Sequence, residues 1–261
     1  MANRSQMNWQ RLKSLQVTFA DIRAAVEDNA KQRFSMKPNA SLPIPPSPKS
    51  ENPSDWVIRA NQGHSIAIES SSILTPITLE SGNIPDVVVH GTYYAFYQPI
   101  VQSGGLKKGA RNHIHFSTGL PEDKRGVISG MRSDAEMLIY VDIKKSLEDG
   151  YIKWWLSENG VVLTEGDENG ILGTKYFKKV EGRRSDCGVL WEDGEEIAEL
   201  PLALRNRKAP QGKGPKGARG GEKGKPRGGG RSKGKDVDKA LDDLGGDEVL
   251  DVNKSYTGKR E

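Results

Sequence analysis

Apolar residues near the start of the chain recur at the spacing of a helix, and Thr18 stands where it can cap that helix. The pattern predicts a helix from Thr18 to about Asn29, followed by a short alternating strand over residues 31–36. Residues 37–53 are rich in Pro and Ser and lack periodicity, which predicts a flexible loop. A second strand is predicted over residues 56–60. The apolar stripe of the helix consists of Phe19, Ile22 and Val26.

Residues 66–180 show short apolar runs separated by turn signals, with room for one or two helices. Asn159-Gly160 separates two such runs and indicates a hairpin, and Asn169-Gly170 marks a second turn. Many short strands with few helices favour an α+β fold with a split sheet. The predicted strands are 87–90, 113–117, 137–143, 151–156, 161–164 and 175–180.

Composition divides the chain into a body and a basic tail. Between Arg205 and Lys235 there are twelve Lys or Arg and one acidic residue, Glu222. The formal net charge of the whole chain is only +4, so the body is net negative. Residues 209–261 contain too little apolar material to fold and are expected to be disordered, basic first and acidic afterwards. Gly-Arg and Gly-Lys repeats either bind RNA backbones or solubilise the chain, and both interpretations are open.

A single cysteine, Cys187, excludes an intramolecular disulfide and a thiolate metal cage. It fits a reducing, intracellular compartment, either the cytoplasm or the nucleus. The polar first residues predict no secretory signal, and no apolar run reaches the roughly 20 residues of a membrane-spanning helix. We therefore expect a soluble protein with no membrane partner.

All four histidines fall within one stretch of the chain, from His64 through His90 to His113 and His115. On a strand, residues two apart share a face, so the last two imidazoles are expected on the same side. Three interpretations are open: ordinary hydrogen-bonded histidines, a zinc site, or donors to the ribose hydroxyls of a polar cofactor. No carboxylate adjoins the pair as a water-activating base, which weakens the zinc hydrolase hypothesis.

Three arginines stand beside small or flexible residues: Arg59, Arg111 and Arg132. Arginine suits phosphate because its planar fork donates two parallel, charge-assisted hydrogen bonds. A solvated surface arginine is the alternative for each of them. From spacing alone, the residues indicate a phosphorylated ligand and nothing more specific.

Five ordered motifs resemble those of the tRNA 2′-phosphotransferase family, an NAD-dependent class of RNA 2′-phosphotransferase. Residues 58–65 (IRANQGHS) are similar to a hallmark of that family, and 90–92 (HGT) to its dinucleotide motif. Residues 111–117 (RNHIHFS) and 127–132 (VISGMR) resemble two further signatures in the expected order. The match extends to residues 31–34 (KQRF) and 175–177 (KYF), with Thr174 in place of the family's usual proline.

The resemblance implies a fold and a domain plan. Residues 1–65 would form a partial winged-helix RNA lobe, with the flexible loop inside it. Residues 66–183 would form an ADP-ribosyltransferase-like lobe that binds NAD. Residues 184–208 would be an extension, and 209–261 the disordered tail.

The resemblance also implies a reaction and a site. The 2′-phosphate of a spliced tRNA, or of another RNA, would pass to NAD, giving 2′-OH RNA, ADP-ribose cyclic phosphate and nicotinamide without a metal. Catalysis would fall to Arg59 and Arg132, which hold the transferred phosphate. The cofactor would be bound by His90, Gly91, Thr92, His115 and Ser117. The residues that would support the site are His64, Arg111 and His113.

One departure from the family pattern concerns catalysis. The family's catalytic group includes an Arg-His-Gly segment on an early helix, and the first histidine of this sequence is His64. The sequence therefore predicts an incomplete RNA lobe and slow turnover. It also leaves room for an alternative, a catalytically impaired module that binds NAD or ADP-ribose and carries an RNA-binding tail.

Overall fold

A computed structural model describes residues 10–65, 67–120, 122–123 and 129–208. The predicted tail, 209–261, and residues 127–128 of the VISGMR motif lie outside this part of the chain. The described residues form thirteen strands and five helices, which confirms a mixed α+β fold with antiparallel sheets. Within the same residues, no helix has the length and apolar character needed to cross a bilayer.

The first structural unit packs two helices on a hairpin. Helix α1 (Gln10–Ser14) precedes α2 (Phe19–Glu27), and strands β1 (Phe34–Pro38) and β2 (Trp56–Ala60) pair antiparallel. Thr18 caps α2 as predicted, because its hydroxyl accepts from the Asp21 backbone N–H and its own N–H donates to the Asp21 carboxylate. A small apolar core holds the unit together: Leu12, Val17, Ile22, Ala25, Val26, Phe34 and Ile58.

A five-stranded antiparallel sheet forms one half of the larger unit. Its order is β13-β12-β11-β7-β4, so β7 lies next to the edge strand β4. Strand β7 is apolar along its length because both of its faces are covered, as its sequence indicates. The strands are β4 (Val89–Thr92), β7 (Met137–Val141), β11 (Phe177–Gly182), β12 (Val189–Glu192) and β13 (Glu195–Glu196).

A four-stranded antiparallel sheet forms the other half, in the order β3-β8-β9-β6. Strands β8 and β9 make the hairpin that Asn159-Gly160 predicted, and Gly160 has the positive φ (75°) that such a turn needs. The strands are β3 (Thr75–Ile77), β6 (Ile114–Phe116), β8 (Trp154–Leu156) and β9 (Val162–Thr164).

The two sheets meet at a seam between β4 and β6. There Val89 and Ser117 exchange two backbone hydrogen bonds of 3.0 and 2.8 Å. The seam brings His90, the next residue of β4, close to His115 on β6. The main apolar core lies under both sheets and includes Phe116, Trp154 and Phe177. The histidine motifs therefore lie where the two antiparallel sheets meet.

The remaining elements cover the sheets. Two short strands pair antiparallel, β5 (Gly105–Lys107) and β10 (Ile171–Gly173). The other helices are α3 (Tyr94–Gln102), α4 (Ile143–Glu148) and α5 (Leu202–Arg205).

Several predicted strand boundaries were wrong: the strand predicted over 151–156 begins at Trp154 and the one over 87–90 is Val89–Thr92. Three further boundaries have a local reason. The strand predicted over 137–143 ends at Val141, because the Asp142 side chain accepts from the Lys145 N–H and caps α4. The strand predicted from residue 175 begins at Phe177, after a single 3₁₀ turn. The strand predicted from residue 31 begins at Phe34, because Gln32 has a φ of 45°.

Candidate functional site

A cleft of about 680 Å³ lies between the N-terminal hairpin and the seam of the two sheets. The hairpin side contributes residues such as Phe34, Ala60 and Gly63, and the seam contributes His90 and His115. Residues from several of the sequence motifs therefore line one cleft. The full lining is Lys31, Arg33, Phe34, Ala60, Gln62, Gly63, His90, Gly91, Lys107, Lys108, Ala110, Arg111, His113, Ile114, His115 and Gly130–Asp134.

The cleft is strongly cationic. Among its described lining residues one is acidic, Asp134, and that carboxylate accepts a hydrogen bond of 2.8 Å from the Tyr93 hydroxyl. A concave surface with this balance concentrates anions and suits phosphate groups. The basic lining residues are Lys31, Arg33, Lys107, Lys108, Arg111 and Arg132.

His90 presents a hydrogen-bond acceptor to the cleft. Its Nδ1 lies 2.9 Å from the backbone carbonyl of His115. A carbonyl only accepts, so Nδ1 carries the proton and Nε2 of the neutral ring is an acceptor. Burial lowers the pKa of His90, and the nearby Arg132 lowers it further, so the ring is neutral at physiological pH.

His115 also offers a buried acceptor. Burial lowers the pKa of its imidazole to about 3, and the ring bonds the backbone carbonyl of His113. Its Nε2 is buried and has no hydrogen-bond partner among the described residues. A buried polar atom in this state costs about 1–3 kcal/mol. Gly63 leaves the approach open, since a Cβ there would lie 3.8 Å from this nitrogen.

His113 is held from behind the cleft. Its Nε2 lies 2.9 Å from the Ser70 hydroxyl, which donates to the Glu165 carboxylate at 2.6 Å. The sequence places no carboxylate beside the histidine pair, but the fold does, with Glu165 3.6 Å from His113 Nε2. Even so, no group of three or more His, Cys, Asp or Glu in the described ranges is arranged to hold a metal ion.

His64 is not among the residues that line the cleft. Its Nε2 lies 3.0 Å from the carbonyl of Ala60, and burial lowers its pKa. The contact closes the turn that follows β2, so His64 shapes the loop bearing Gln62 and Gly63.

Arg132 lies on a loop with a restricted backbone. Gly130 has a φ of 90°, and a Cβ there would lie 2.4 Å from the carbonyl oxygen of Phe116. The Arg132 guanidinium stacks 5.2 Å from the centre of the Tyr93 ring. The Asp134 carboxylate holds that ring by its hydroxyl. The loop backbone and the Tyr93 ring therefore restrain the position of the Arg132 guanidinium in the cleft.

Gly91 and its neighbours form the floor of the site. A Cβ on Gly91 would lie 2.4 Å from Met131 Cγ, so glycine permits the Arg132 loop to pack against β4. Thr92 is buried and lines an adjoining cleft of about 510 Å³, together with His90 and Arg132. Ser117 is buried below, and its hydroxyl has no partner among the described residues.

Arg59 is not brought into the lining of the main cleft. Its guanidinium lies 2.8 Å from the Glu158 carboxylate on the β8–β9 turn, which also accepts from Ser35. Four basic residues of the lining had no role in the sequence analysis: Lys107 and Lys108, which no motif marks, and Lys31 and Arg33. The KQRF motif was the signal that could have identified the last two.

The fold and the site define an α+β protein with a cationic cleft, lined by histidines, where two sheets meet. Residues 4–166, more than half of the chain, match the family described as RNA 2′-phosphotransferase, Tpt1 / KptA family. The chain belongs to this family.

Its relatives are named as tRNA 2′-phosphotransferases. The chain is 39% identical over 163 residues to "tRNA 2′-phosphotransferase 1" of Danio rerio, covering 62% of this chain and 65% of the relative. It is 37% identical over 182 residues to the Homo sapiens protein of the same name, covering 69% and 64%. It is 36% identical over 202 residues to "tRNA 2′-phosphotransferase" of Saccharomyces cerevisiae, covering 77% of each. The chain thus spans slightly less than two thirds of these two vertebrate relatives.

Proposed function

We propose that this protein transfers the 2′-phosphate of a spliced tRNA, or of another 2′-phosphorylated RNA, to NAD. The observation that carries the proposal is a cleft with six basic residues and neutral histidines in a member of this family. The products are 2′-OH RNA, ADP-ribose 1″,2″-cyclic phosphate and nicotinamide.

The reaction takes two displacements. In the first, a 2′-phosphate oxygen bonds to the anomeric carbon of the nicotinamide ribose and the bond to nicotinamide breaks. In the second, the adjacent ribose hydroxyl bonds to phosphorus, the RNA 2′-oxygen leaves, and the hydroxyl proton passes to that oxygen. Phosphate is already an anion, so the first displacement needs charge neutralisation and alignment more than a base.

Arg132 is the residue we assign to the transferred phosphate. Arg132 lines both adjoining clefts, its guanidinium lies over the Tyr93 ring, and its planar fork can donate paired hydrogen bonds to a phosphate. Arg59 is the second phosphate ligand of the proposal. It takes that role when a phosphate dianion displaces the Glu158 carboxylate from its guanidinium.

NAD binding is assigned to the floor and seam of the site. The acceptor Nε2 atoms of His90 and His115 suit ribose hydroxyls, which donate. The unpartnered nitrogen of His115 supports this assignment, because a bound hydroxyl would remove its desolvation cost. Gly91, Thr92 and Ser117 complete the cofactor set.

Three residues support the site in this proposal. Arg111 adds positive charge to the lining, His64 shapes the turn beside Gly63, and His113 carries the carbonyl that orients His115. No metal ion takes part.

The proposal includes a division of labour along the chain. Residues 1–65 form a winged-helix-like RNA lobe, and 66–183 form an ADP-ribosyltransferase-like NAD lobe. Residues 184–208 are an extension of the second lobe, and 209–261 contribute nonspecific RNA affinity through their basic residues. We assign the protein to an intracellular compartment, where tRNA and NAD are found together.

A second function is a module that binds NAD or ADP-ribose and turns over poorly. The pairing of Arg59 with Glu158 favours it, because an arginine engaged by a carboxylate is not available to phosphate.

The deciding experiment is a single-turnover assay of the purified chain with NAD and an oligonucleotide bearing one internal 2′-phosphate. Mass analysis separates the expected products, and the same oligonucleotide with a 2′-hydroxyl is the control. Arg132→Gln should lose at least about a hundredfold in rate if its charge stabilises the reacting phosphate. NAD binding without any transfer would establish the second function instead.

A further inference from the structure

We propose that Arg183 is a positioning residue that sets the place of Arg132 in the cleft. Arg183 lies beyond residues 4–166, the part of the chain that matches the family, and it does not line the cleft. The expected effect on the reaction rate rests on the proposed function. The positioning role itself rests on the contacts of Arg183 in the structure.

The sheet brings Arg183 to the Arg132 loop. Strands β7 and β11 are antiparallel neighbours, with Gly182 opposite Met137. Arg183 follows the last residue of β11, so it comes to rest beside the loop that leads into β7. Its backbone N–H donates to the Glu136 carbonyl at 2.7 Å, which fixes the register of this contact.

The Arg183 side chain holds the loop by its carbonyl groups. One guanidinium nitrogen donates to the carbonyls of Ser133 at 2.9 Å and Ala135 at 3.2 Å. Arg184 adds a bond of 3.0 Å to the same Ser133 oxygen. The bonds begin one residue after Arg132, so they restrain the backbone that carries its guanidinium.

Burial and a counterion keep Arg183 in this arrangement. Its side chain is only 9% exposed, and its Nε donates to the Glu122 carboxylate at 3.1 Å. Charge-assisted bonds to neutral carbonyls are stronger than neutral ones, and the fork of arginine lets one nitrogen hold the two carbonyls while Nε holds the Glu122 carboxylate. Lysine offers a charge in the same place without the fork.

Other contacts of the loop come from packing and from Lys31. The Lys31 ammonium donates to the Met131 carbonyl at 3.3 Å, and Tyr93 stacks on Arg132. With the Arg183 side chain removed, the loop would keep these contacts and the Arg184 bond to Ser133, and it would lose the two carbonyl bonds that Arg183 makes. A displacement of about 1 Å in a phosphate ligand can cost about a hundredfold in rate.

The test combines a double-mutant cycle with a direct view of Arg132 in the full chain. The variants are Arg183→Gln, Arg183→Lys, Arg132→Gln and the double variant, each measured for kcat and KM with NAD and 2′-phosphorylated RNA. Arg205→Gln is the matched control, because Arg205 also bonds a carbonyl, that of Leu200, and a glutamate, but away from the cleft. Thermal melting confirms that each variant is folded.

We expect Arg183→Gln to lower kcat about tenfold or more, Arg183→Lys to restore little of it, and Arg205→Gln to leave it unchanged. In the Arg132→Gln background, Arg183→Gln should have no further effect, because it acts through Arg132. Multiplying losses in the double variant would instead show a general structural role and overturn the inference.

A spectroscopic readout separates this inference from the proposed function. The Arg132 Nε–H signal, assigned by its loss in Arg132→Lys, should shift in Arg183→Gln and stay in place in Arg205→Gln. An unchanged signal would overturn the positioning role even in an active enzyme. An inactive wild-type chain with a shifted signal would contradict the proposed function alone.

Discussion

Replacing His115 with asparagine should make the protein less sensitive to acid. The buried imidazole has a pKa of about 3 in the folded chain, against 6.5 in the unfolded chain. Between about pH 3 and pH 6.5 the unfolded state therefore binds a proton that the folded state does not. The free energy of unfolding decreases as the pH is lowered through this range. At pH 5, 1.5 units below the unfolded value, the loss from this one group is about 2 kcal/mol.

Urea unfolding at pH 7.5 and pH 5 measures this loss in the wild type and in His115→Asn. The asparagine amide can still donate to the His113 carbonyl, but it does not titrate. We expect the wild type to lose about 2 kcal/mol more than the variant between the two pH values. The other histidines titrate in both proteins and cancel in the comparison. The quantity that tests the prediction is therefore the difference between the two proteins in the free energy of unfolding lost from pH 7.5 to pH 5.

His64→Gln is the control, since burial lowers the pKa of His64 as well but that residue lies outside the cleft lining. Adding NAD should raise the free energy of unfolding of the wild type by the same amount at both pH values, because the His115 imidazole of the folded chain is already neutral at pH 5. Parallel stability curves for the wild type and His115→Asn would refute the reasoning, because they would mean that the imidazole is not buried in its neutral form.

Two further predictions concern the site. His90→Ala should weaken NAD binding about tenfold in calorimetric titration through the loss of one buried polar contact, and unchanged affinity would exclude His90 from the cofactor site. Gly130→Ala should lower the free energy of unfolding by about 1–3 kcal/mol, because a Cβ at φ 90° would meet the Phe116 carbonyl. Gly104→Ala is its control, with a φ of 80° and open space around it, and an equal loss in both would show that no contact with Phe116 matters.

Local signals in the sequence predicted local structure well. The capped helix Phe19–Glu27 and the strand Trp56–Ala60 are confirmed. A capping residue and a short apolar pattern act on neighbouring residues, so they can be recognised in the sequence. The strand end at Val141 was not predicted, because the apolar run continues past Asp142 and hides the helix cap that Asp142 forms.

The histidines show where sequence reasoning stops. Their clustering predicted a shared site, and three of them line one cleft. Their hydrogen-bond partners could not be predicted, because Ser70 and Glu165 lie 43 and 52 positions from His113 along the chain. The same limit applies to Arg59, whose pairing with Glu158 joins residues 99 positions apart. The assignment of roles to the site residues stays a prediction.

The seam between the two sheets has a mechanical consequence. Two backbone hydrogen bonds between Val89 and Ser117 join the edges of β4 and β6, and the His90 ring adds a third to the His115 carbonyl. At a net value of about 0.5–1.5 kcal/mol each, these bonds hold the two sheets together less firmly than the ladders hold each sheet. Each sheet can keep its own ladder intact while the angle between them changes. His90 and His115 lie on opposite sides of the seam, so a small rotation there would change the distance between the two imidazoles.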